Sequence, residues 1–389
     1  MTESIVFYIF IIFAGSAVLA TLALYARQAL LIGYIVMGIL MGPPVFGVIK
    51  DTVLISSIAD IGIIFLLFLL GLNLQPQDLF HMLRKTTVLT LVSSLIFALV
   101  GALVGWAFGF SFAENLVIGI AAMFSSTIIG LKLLPTTVLH HKHAGEIMIS
   151  VLLLQDLIAI LMLLILQGLG KEDSSTLFDI AMLSLNLPLM ALFAIFFSRY
   201  VLIKLIRRFD KIQEYIFLMT IGWCLSMAEF SSQLGLSHEI GAFLGGVGLA
   251  SSPLARYIAE SLKPLRDFFL IIFFFTLGAK LDLHILSAVL APATILAGLL
   301  LLIKPWVFQY LLIKLGEAPP LSLEMGVRLG QISEFSLLIA VVAASANIIT
   351  EPASYLIQAA TLLTFIFSSY YIVMYYPTPI AASDRLRRD

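Results

Sequence analysis

The chain has 389 residues, of which 61% are hydrophobic and 12% are charged, and its formal net charge at pH 7 is −1. An ordinary soluble domain has about 25% charged residues, so this composition excludes a soluble enzyme, a secreted disulfide scaffold and a disordered chain. The near-zero net charge argues against a nucleic-acid binder, and the single cysteine, Cys224, cannot form an intrachain disulfide.

Continuous apolar segments of about 20 residues, the length that spans a bilayer as a helix, follow one another along the chain. The strands of an outer-membrane barrel would instead alternate in polarity. We identify thirteen segments, at 4–25, 29–49, 53–73, 86–109, 114–138, 144–168, 180–206, 212–234, 237–252, 264–279, 285–314, 320–346 and 353–376. The joint at residues 234–236 is the weakest, and merging its neighbours would leave twelve. The sequence predicts an all-α polytopic membrane protein with about 13 transmembrane helices.

Positive charges indicate the orientation of the chain. With thirteen helices, 15 of the 22 Lys and Arg residues fall in or next to the loops on one side of the membrane, and only Lys50, Lys171 and Lys280 fall on the other. Loops rich in Lys and Arg face the cytoplasm. The pattern therefore predicts a multi-pass protein of the cell (inner) membrane with its N-terminus outside and its C-terminus in the cytoplasm.

The two halves of the sequence contain similar motifs. Gly38 in the second segment matches Gly246 in the ninth at an offset of 208, and Thr127 in the fifth matches Glu334 in the twelfth at an offset of 207. Seven segments separate the members of each pair, so the halves would insert with opposite orientations. Such an inverted repeat is typical of secondary transporters.

Asp156 is the most informative residue, because it lies in the middle of the apolar sixth segment without a basic neighbour. An intramembrane acid is costly and indicates function, although a purely structural hydrogen-bonding role is the alternative. Such a carboxyl group can hold a proton or, once ionised, offer a hard oxygen ligand to an alkali cation. Gln155 would supply a neutral carbonyl oxygen beside it.

The fifth and twelfth segments carry polar residues at mid-membrane depth. Ser125, Ser126 and Thr127 lie in the fifth, and Gln331 and Glu334 lie in the twelfth. These positions predict two broken helices whose freed carbonyls face a cavity or a cation. The alternatives are serine back-bonding to its own helix and a structural counter-charge role for Glu334.

Lys304 lies deep in the eleventh segment and requires an acidic or carbonyl partner. Asp156, Gln155 and Glu334 are the candidates, unless Lys304 lies at a helix end. Near the cytoplasmic end of the twelfth segment, Glu324 and Arg328 have the spacing of an i,i+4 ion pair.

Three histidines, His140, His141 and His143, fall in a cytoplasmic loop before the sixth segment. Histidine titrates near physiological pH, so this loop is either an ordinary solvated loop or a pH sensor.

These motifs together identify a family. The motifs are Gly33-Tyr34 with Gly38 and Gly42-Pro43, Phe68-Leu69-Leu70-Gly71-Leu72-Asn73-Leu74, Ser125-Ser126-Thr127, Gln155-Asp156, and Gly330-Gln331-Ile332-Ser333-Glu334-Phe335. With them, essentially the whole chain resembles the second family of monovalent cation:proton antiporters, and within it the Kef-type potassium/proton branch.

The resemblance implies a sodium/proton-antiporter-like fold, an inverted repeat with two crossing broken helices, working as a homodimer. Residues 1–80 and 211–280 would form the dimer and scaffold domain, and residues 81–175 and 281–376 the core transport domain. Residues 176–210 would be a linker helix and residues 377–389 a cytoplasmic tail.

The resemblance also implies residue roles. Asp156 would carry the cation and the proton, Ser125, Ser126, Thr127 and Gln155 would line the site, and a core charge network would comprise Lys304, Glu334 and Gln331. No resident metal or cofactor is expected, since the transported K⁺ or Na⁺ would bind at Asp156.

Three features depart from the family pattern. Asn73 stands where Glu is frequent, and Ser333 stands where Gly is frequent at the twelfth-helix break. The sequence given also ends at Asp389 without the nucleotide-binding domain of many Kef-type proteins. Three interpretations are open: a separate cytoplasmic nucleotide-binding regulatory subunit controls the protein, the protein is ungated, or the chain is truncated.

We therefore predict a secondary active transporter, not an enzyme, that exchanges a monovalent cation for H⁺ by competition at Asp156, with K⁺ as the preferred candidate. Because Gln155 is neutral, the exchange is expected to be electroneutral. The alternatives are a Na⁺/H⁺ antiporter of the same fold and an ungated cation channel. An intramembrane protease would need a second acid, for which Glu334 is the sole candidate.

Overall fold

The computed structural model describes residues 5–43, 45–49, 52–73, 76–132, 143–169, 177–209 and 211–378, whose regular structure is helical. The first helices are α1 Ile5–Tyr25, α2 Leu30–Met41, α3 Thr52–Asn73, α4 Pro76–Ala107, α5 Phe112–Met123, α6 Thr127–Lys132 and α7 His143–Leu169. Helix α8 begins as Leu177–Phe197, passes through a π-helical turn at Ser198–Leu202 and ends as Ile203–Arg208. The remaining helices are α9 Gln213–Gln233, α10 His238–Ala250, α11 Ala255–Ser261, α12 Lys263–Ala279, α13 Leu283–Lys314, α14 Pro319–Arg328, α15 Glu334–Ser345 and α16 Glu351–Tyr375.

The helices coincide with the predicted apolar segments, and the all-α membrane fold is confirmed. At the weakest joint, α9 ends at Gln233 and α10 begins at His238. Between them Gly235 has a φ of 81°, a conformation that favours glycine, and the Ser237 hydroxyl accepts the Ile240 amide at the start of α10. The two segments are therefore separate helices, as the count of thirteen requires.

Several elements differ from the prediction, among them α2, which ends at Met41 rather than at residue 49. Helix α4 begins at Pro76 rather than at residue 86, because proline is well suited to the first position of a helix and the polar stretch behind it continues the helix. The short helix α11 between α10 and α12 has no predicted counterpart. His140, His141 and residues 379–389 of the predicted tail lie outside the described residues, whereas His143 is the first residue of α7.

Six helices among the described residues are long and apolar enough to cross a membrane, and α2, α5 and α15 are shorter apolar helices. Large apolar side chains lie exposed along several of the long helices, among them Leu95, Leu103, Leu192, Phe196 and Leu302. Many serine and threonine side chains are buried instead. Exposed apolar side chains together with buried hydroxyl groups are expected of helices whose outer faces contact lipid.

The chain divides into two compact units. The first comprises Met1–Ala14, Met37–His81 and Lys171–Lys280, and the second comprises Gly15–Val36, Met82–Gly170 and Leu281–Asp389. Compared with the expected domains, residues 15–36 cluster with the second unit, and residues 177–209 cluster with the first.

In the first unit, α3 packs against both α10 and α12, and glycine sets the distance between the backbones. A Cβ atom on Gly246 would collide with the Phe68 carbonyl oxygen, and one on Gly38 would collide with the Phe275 carbonyl oxygen. Small residues permit such close helix packing within membranes. This unit is therefore held together mainly by close apolar packing.

The second unit contains two interrupted helices. The first break, residues 124–126, separates α5 from α6, and the second break, residues 329–333, separates α14 from α15. Helix α15 packs against α5, α7 and α16, and α13 packs against α14 and α16. The breaks are therefore surrounded by helices, as non-helical backbone at membrane depth must be.

Candidate cation and proton site

The two breaks are hydrogen-bonded to each other. The Ser125 hydroxyl donates to the Leu329 carbonyl at 2.8 Å, and the Gln331 amide donates to the Ser126 carbonyl at 3.4 Å. The Ser125 hydroxyl therefore bonds across to the second break instead of to its own helix. The Ser126 hydroxyl accepts the Ile129 amide at 3.1 Å, which satisfies a donor in the first turn of α6.

Asp156 of α7 lies beside the first break and is only 3% exposed. The Thr127 hydroxyl is 3.4 Å from both oxygens of its carboxyl group, and it is the one hydrogen-bond donor to that group within the part of the chain that the structure describes. Glu334, the first residue of α15, interacts electrostatically with Asp156. Asp156 is thus a buried acid with weak neutral coordination and a second acid nearby.

Gln155 fixes the first break from the same helix. Its carbonyl oxygen accepts the Ser125 main-chain amide at 3.0 Å, and its amide group donates to the Met123 carbonyl at 3.3 Å. Its side chain is fully buried. The amide of Gln155 therefore serves as both donor and acceptor for backbone groups that the unwinding leaves unpaired.

Lys304 lies between the two breaks. Its ammonium group donates to the Phe124 carbonyl at 2.7 Å and to the Gln331 carbonyl at 3.2 Å, and it lies 5.1 Å from the centre of the Phe97 ring. Sequence reasoning favoured Asp156, Gln155 or Glu334 as its partner; the observed acceptors are main-chain carbonyls. Since α5 and α14 end at these breaks, the lysine offsets the negative ends of two half-helices.

Helix α16 supports the second break, and this support was not predicted from the sequence. Thr364 accepts the Ile332 amide at 3.1 Å, and Ser368 donates to the Gln331 side-chain carbonyl at 3.0 Å. Ser333 caps α15 by accepting the Phe335 amide at 3.1 Å. The signal in the sequence was a stripe of polar residues at helical spacing along α16, namely Ser354, Gln358, Thr361, Thr364 and Ser368.

The structure brings together all of the residues proposed from the sequence for the site and its charge network. Within the described residues, no group of three or more His, Cys, Asp or Glu side chains could hold a metal ion. One buried acid next to hydroxyl and carbonyl oxygens can instead hold a proton or a dehydrated monovalent cation. Hard, oxygen-preferring cations fit such ligands.

The residues 9–375 match the family model described as "Sodium/hydrogen exchanger, transmembrane". The iron transporter MagA of Paramagnetospirillum magneticum is 26% identical to this chain, over 89% of this chain and 80% of that protein. The putative K(+) efflux antiporter KefB of Alkalimonas amylolytica is 29% identical, over 88% of this chain and 52% of that protein. K(+) efflux antiporter 5 of Arabidopsis thaliana is 26% identical, over 87% of this chain and 61% of that protein.

The chain thus spans between about half and four-fifths of the length of these relatives. Among solved structures, the sodium proton antiporter MjNhaP1 from Methanocaldococcus jannaschii at pH 8 matches with a TM-score of 0.71 and 16% identity. The match covers 94% of this chain and 95% of that one. At this identity the likeness shows a common fold.

Proposed function

The chain belongs to the sodium/hydrogen exchanger family of membrane transporters, and we propose that it exchanges K⁺ for H⁺ across the cell membrane by competition at Asp156. It is a cation:proton antiporter rather than an enzyme. The observation that carries the proposed mechanism is the burial of the Asp156 carboxyl group. Within the described residues, its hydrogen bonds are two long contacts with the Thr127 hydroxyl. A buried carboxylate without a charged partner is energetically costly, so the group is expected to bind a proton or a cation in each state of the cycle.

The neighbouring oxygens suit a monovalent cation. Thr127 offers a hydroxyl oxygen at the edge of the first break, and the Ser126 carbonyl lies at the same break. The amide group of Gln155 is engaged with backbone groups, which supports a positioning role for it. In the cycle we propose, the cation displaces the proton from Asp156 on one side of the membrane, and the proton displaces the cation on the other.

Charge balance favours electroneutral exchange. Gln155 adds no charge, and the ammonium of Lys304 stays bonded to two carbonyls. The site then carries the same net charge with one proton as with one monovalent cation, so the membrane potential does no work on the exchange.

The choice of K⁺ over Na⁺ rests on relatives. Proteins named as K(+) efflux antiporters match at 26% to 29% identity, whereas the sodium proton antiporter structure matches at 16% and supports the fold alone. Na⁺ is the alternative cation, because the fold is shared with a sodium proton antiporter.

We further propose that the first unit is the scaffold of a homodimer and that the second unit moves the site. The reciprocal contacts of Gly38 with Phe275 and of Gly246 with Phe68 support an inverted repeat, since each contact is the counterpart of the other at an offset of 207 or 208 residues. The N-terminus would lie outside and the C-terminus in the cytoplasm, where a separate nucleotide-binding subunit could regulate exchange.

Proton efflux from everted membrane vesicles tests this function. In vesicles with an acidified lumen, K⁺ should dissipate the pH gradient with wild-type protein, and Asp156→Asn should abolish the response. Asp60→Asn, the same change in the membrane helix α3 of the other unit, is the matched control and should retain it.

Each other outcome overturns a stated part of the proposal. A response to Na⁺ alone removes potassium as substrate, and a response that survives Asp156→Asn removes Asp156 as the carrier. K⁺ movement without proton movement would make the protein a channel. With folded protein confirmed, the lack of a response to either cation contradicts exchange itself.

A further inference from the structure

Arg328, the last residue of α14, is a buried cation outside the site described above. It is 1% exposed, and its guanidinium donates to one oxygen of Glu324 through Nε at 3.0 Å and through Nη2 at 2.8 Å. A buried charge is tolerated when it is paired and hydrogen-bonded. The ion pair expected from the i,i+4 spacing is therefore present, but it does not account for every contact of the guanidinium.

The same guanidinium holds the chain that follows the last helix. Nη2 of Arg328 donates to the Pro377 carbonyl at 2.8 Å, and the guanidinium lies 5.7 Å from the centre of the Tyr376 ring. Thr378 is fully buried. The segment 376–378, which we term the return segment, thus packs against the end of α14 instead of leaving the membrane domain directly.

The end of α14 is joined to the exchange site by main-chain carbonyls. The Arg328 carbonyl accepts the Gln331 amide group at 2.8 Å, and the next carbonyl, of Leu329, accepts the Ser125 hydroxyl. The last carbonyls of a helix lack partners within it, so here side chains of both breaks supply them. The main-chain amide of Ser125 in turn bonds to Gln155, next to Asp156.

We propose that Arg328 is a positioning residue for cation exchange, and that the return segment holds it in place. The guanidinium anchors the end of α14, and the two carbonyls there fix Gln331 and Ser125. Displacing Arg328 therefore loosens the first break beside Asp156 without removing any group that lines it. The transport readout rests on the function proposed above, and a second readout does not.

Arg328→Lys tests the transport half of the proposal. Lysine keeps the charge but not the planar fork that reaches Glu324 and Pro377 together. We expect folded protein whose apparent KM for K⁺ rises roughly two- to thirtyfold, the range that contact networks of this kind produce, with a shifted pH profile. Arg266→Lys, in the half-exposed pair with Asp267, is the matched control and should change neither quantity.

A purely structural role for Arg328 gives a different result. In that case Arg328→Lys lowers the amount or the thermal stability of folded protein, while the KM and the pH profile per folded molecule stay as in wild type. That result overturns the proposal.

Hydrogen exchange supplies the readout that needs no transport. In Arg328→Lys the peptides that contain Ser125 and Ile332 should exchange faster than in wild type, because their amides bond to Gln155 of α7 and Thr364 of α16 and would be held less firmly. Peptides within α10 of the other unit should be unchanged. Unchanged exchange at Ser125 overturns the link, whether or not the wild-type protein transports K⁺, so failure of this inference is distinguishable from failure of the proposed function.

The contribution of the return segment is tested at Tyr376. Tyr376→Phe keeps an aromatic face for the guanidinium, whereas Tyr376→Leu removes it. We expect Leu to raise the KM in the same direction as Arg328→Lys but less, and Phe to leave it unchanged. If both variants raised the KM equally, or if neither changed it, the aromatic contact would have no role.

Discussion

The two helix breaks are similar in position and different in support. The first break, residues 124–126, is held mainly by the amide of Gln155 and borders the lightly coordinated acid Asp156. The second break, residues 329–333, is held by Thr364 and Ser368 of the last helix. The comparison teaches that the first break borders the buried acid proposed as the exchanging group, while the second break is hydrogen-bonded to the last helix.

Lys304 joins the two breaks, so its removal tests the comparison most severely. In Lys304→Met the carbonyls of Phe124 and Gln331 both lose this donor, at a cost of about 1–3 kcal/mol for each buried acceptor left unsatisfied. We expect a marked fall in the thermal stability of the purified protein, measured by its intrinsic fluorescence on heating.

The matched control lies on the same helix. Lys314 at the end of α13 is near the Tyr310 ring and bonds neither break, so Lys314→Met should change stability by no more than about 0.5 kcal/mol. If Lys304→Met were equally mild, the lysine would not join the breaks.

Gln155→Glu sharpens the chemical difference between the breaks. Glutamate keeps an oxygen for the Ser125 amide but places a further acid directly before Asp156, in addition to the nearby Glu334. If electroneutrality depends on a single carboxyl group, a K⁺ concentration jump on supported membranes should produce net charge movement in Gln155→Glu and none in wild type.

The control for this charge change is Gln233→Glu, at an exposed position at the end of α9, which should behave as wild type. Net charge movement by the wild-type protein itself would contradict electroneutral exchange.

Thr364→Val and Ser126→Ala compare the hydrogen bonds that support the two breaks. Of the variants that alter the two breaks, these two are expected to have the smallest effects on thermal stability. Thr364→Val leaves the Ile332 amide unpaired in the interior, at about 1–3 kcal/mol, whereas Ser126→Ala removes a bond near the start of α6, at about 1 kcal/mol. Thermal stability should fall in both variants, and by more in Thr364→Val.

The neighbouring variant Thr361→Val separates burial from support. Thr361 is also buried, and the hydroxyls of Thr361 and Thr364 both donate to their own helix, but Thr364 also accepts the Ile332 amide of the second break. Thr361→Val should therefore be milder than Thr364→Val. Equal effects of the two would show that the second break does not depend on Thr364.

Much of this arrangement could be predicted from the sequence because the membrane makes polar residues conspicuous. Asp156, Lys304 and the polar residues of the two breaks stand out within apolar segments, and bilayer length defines the helices around them. The breaks were predictable for the same reason, since polar and glycine residues at mid-membrane depth suit an unwound backbone.

The partners of these residues were not predictable. Lys304 bonds to main-chain carbonyls, and every residue has a carbonyl, so no side-chain pattern indicates which ones it meets. Thr364 and Ser368 resemble ordinary helix-forming residues that bond to their own backbone. Their role follows from the packing of α16 against α15, which is tertiary information.

The central claim is that a cation and a proton compete for Asp156, and proton release on cation binding tests it most directly. Purified protein in weakly buffered detergent solution is titrated with K⁺ near the pH at which Asp156 is half protonated, while binding and released protons are measured together. Because a ligating carboxyl group must be deprotonated, wild type should release protons in proportion to the K⁺ bound, and Asp156→Asn should release none. Potassium binding without proton release in wild type, or unchanged release in Asp156→Asn, would contradict the account.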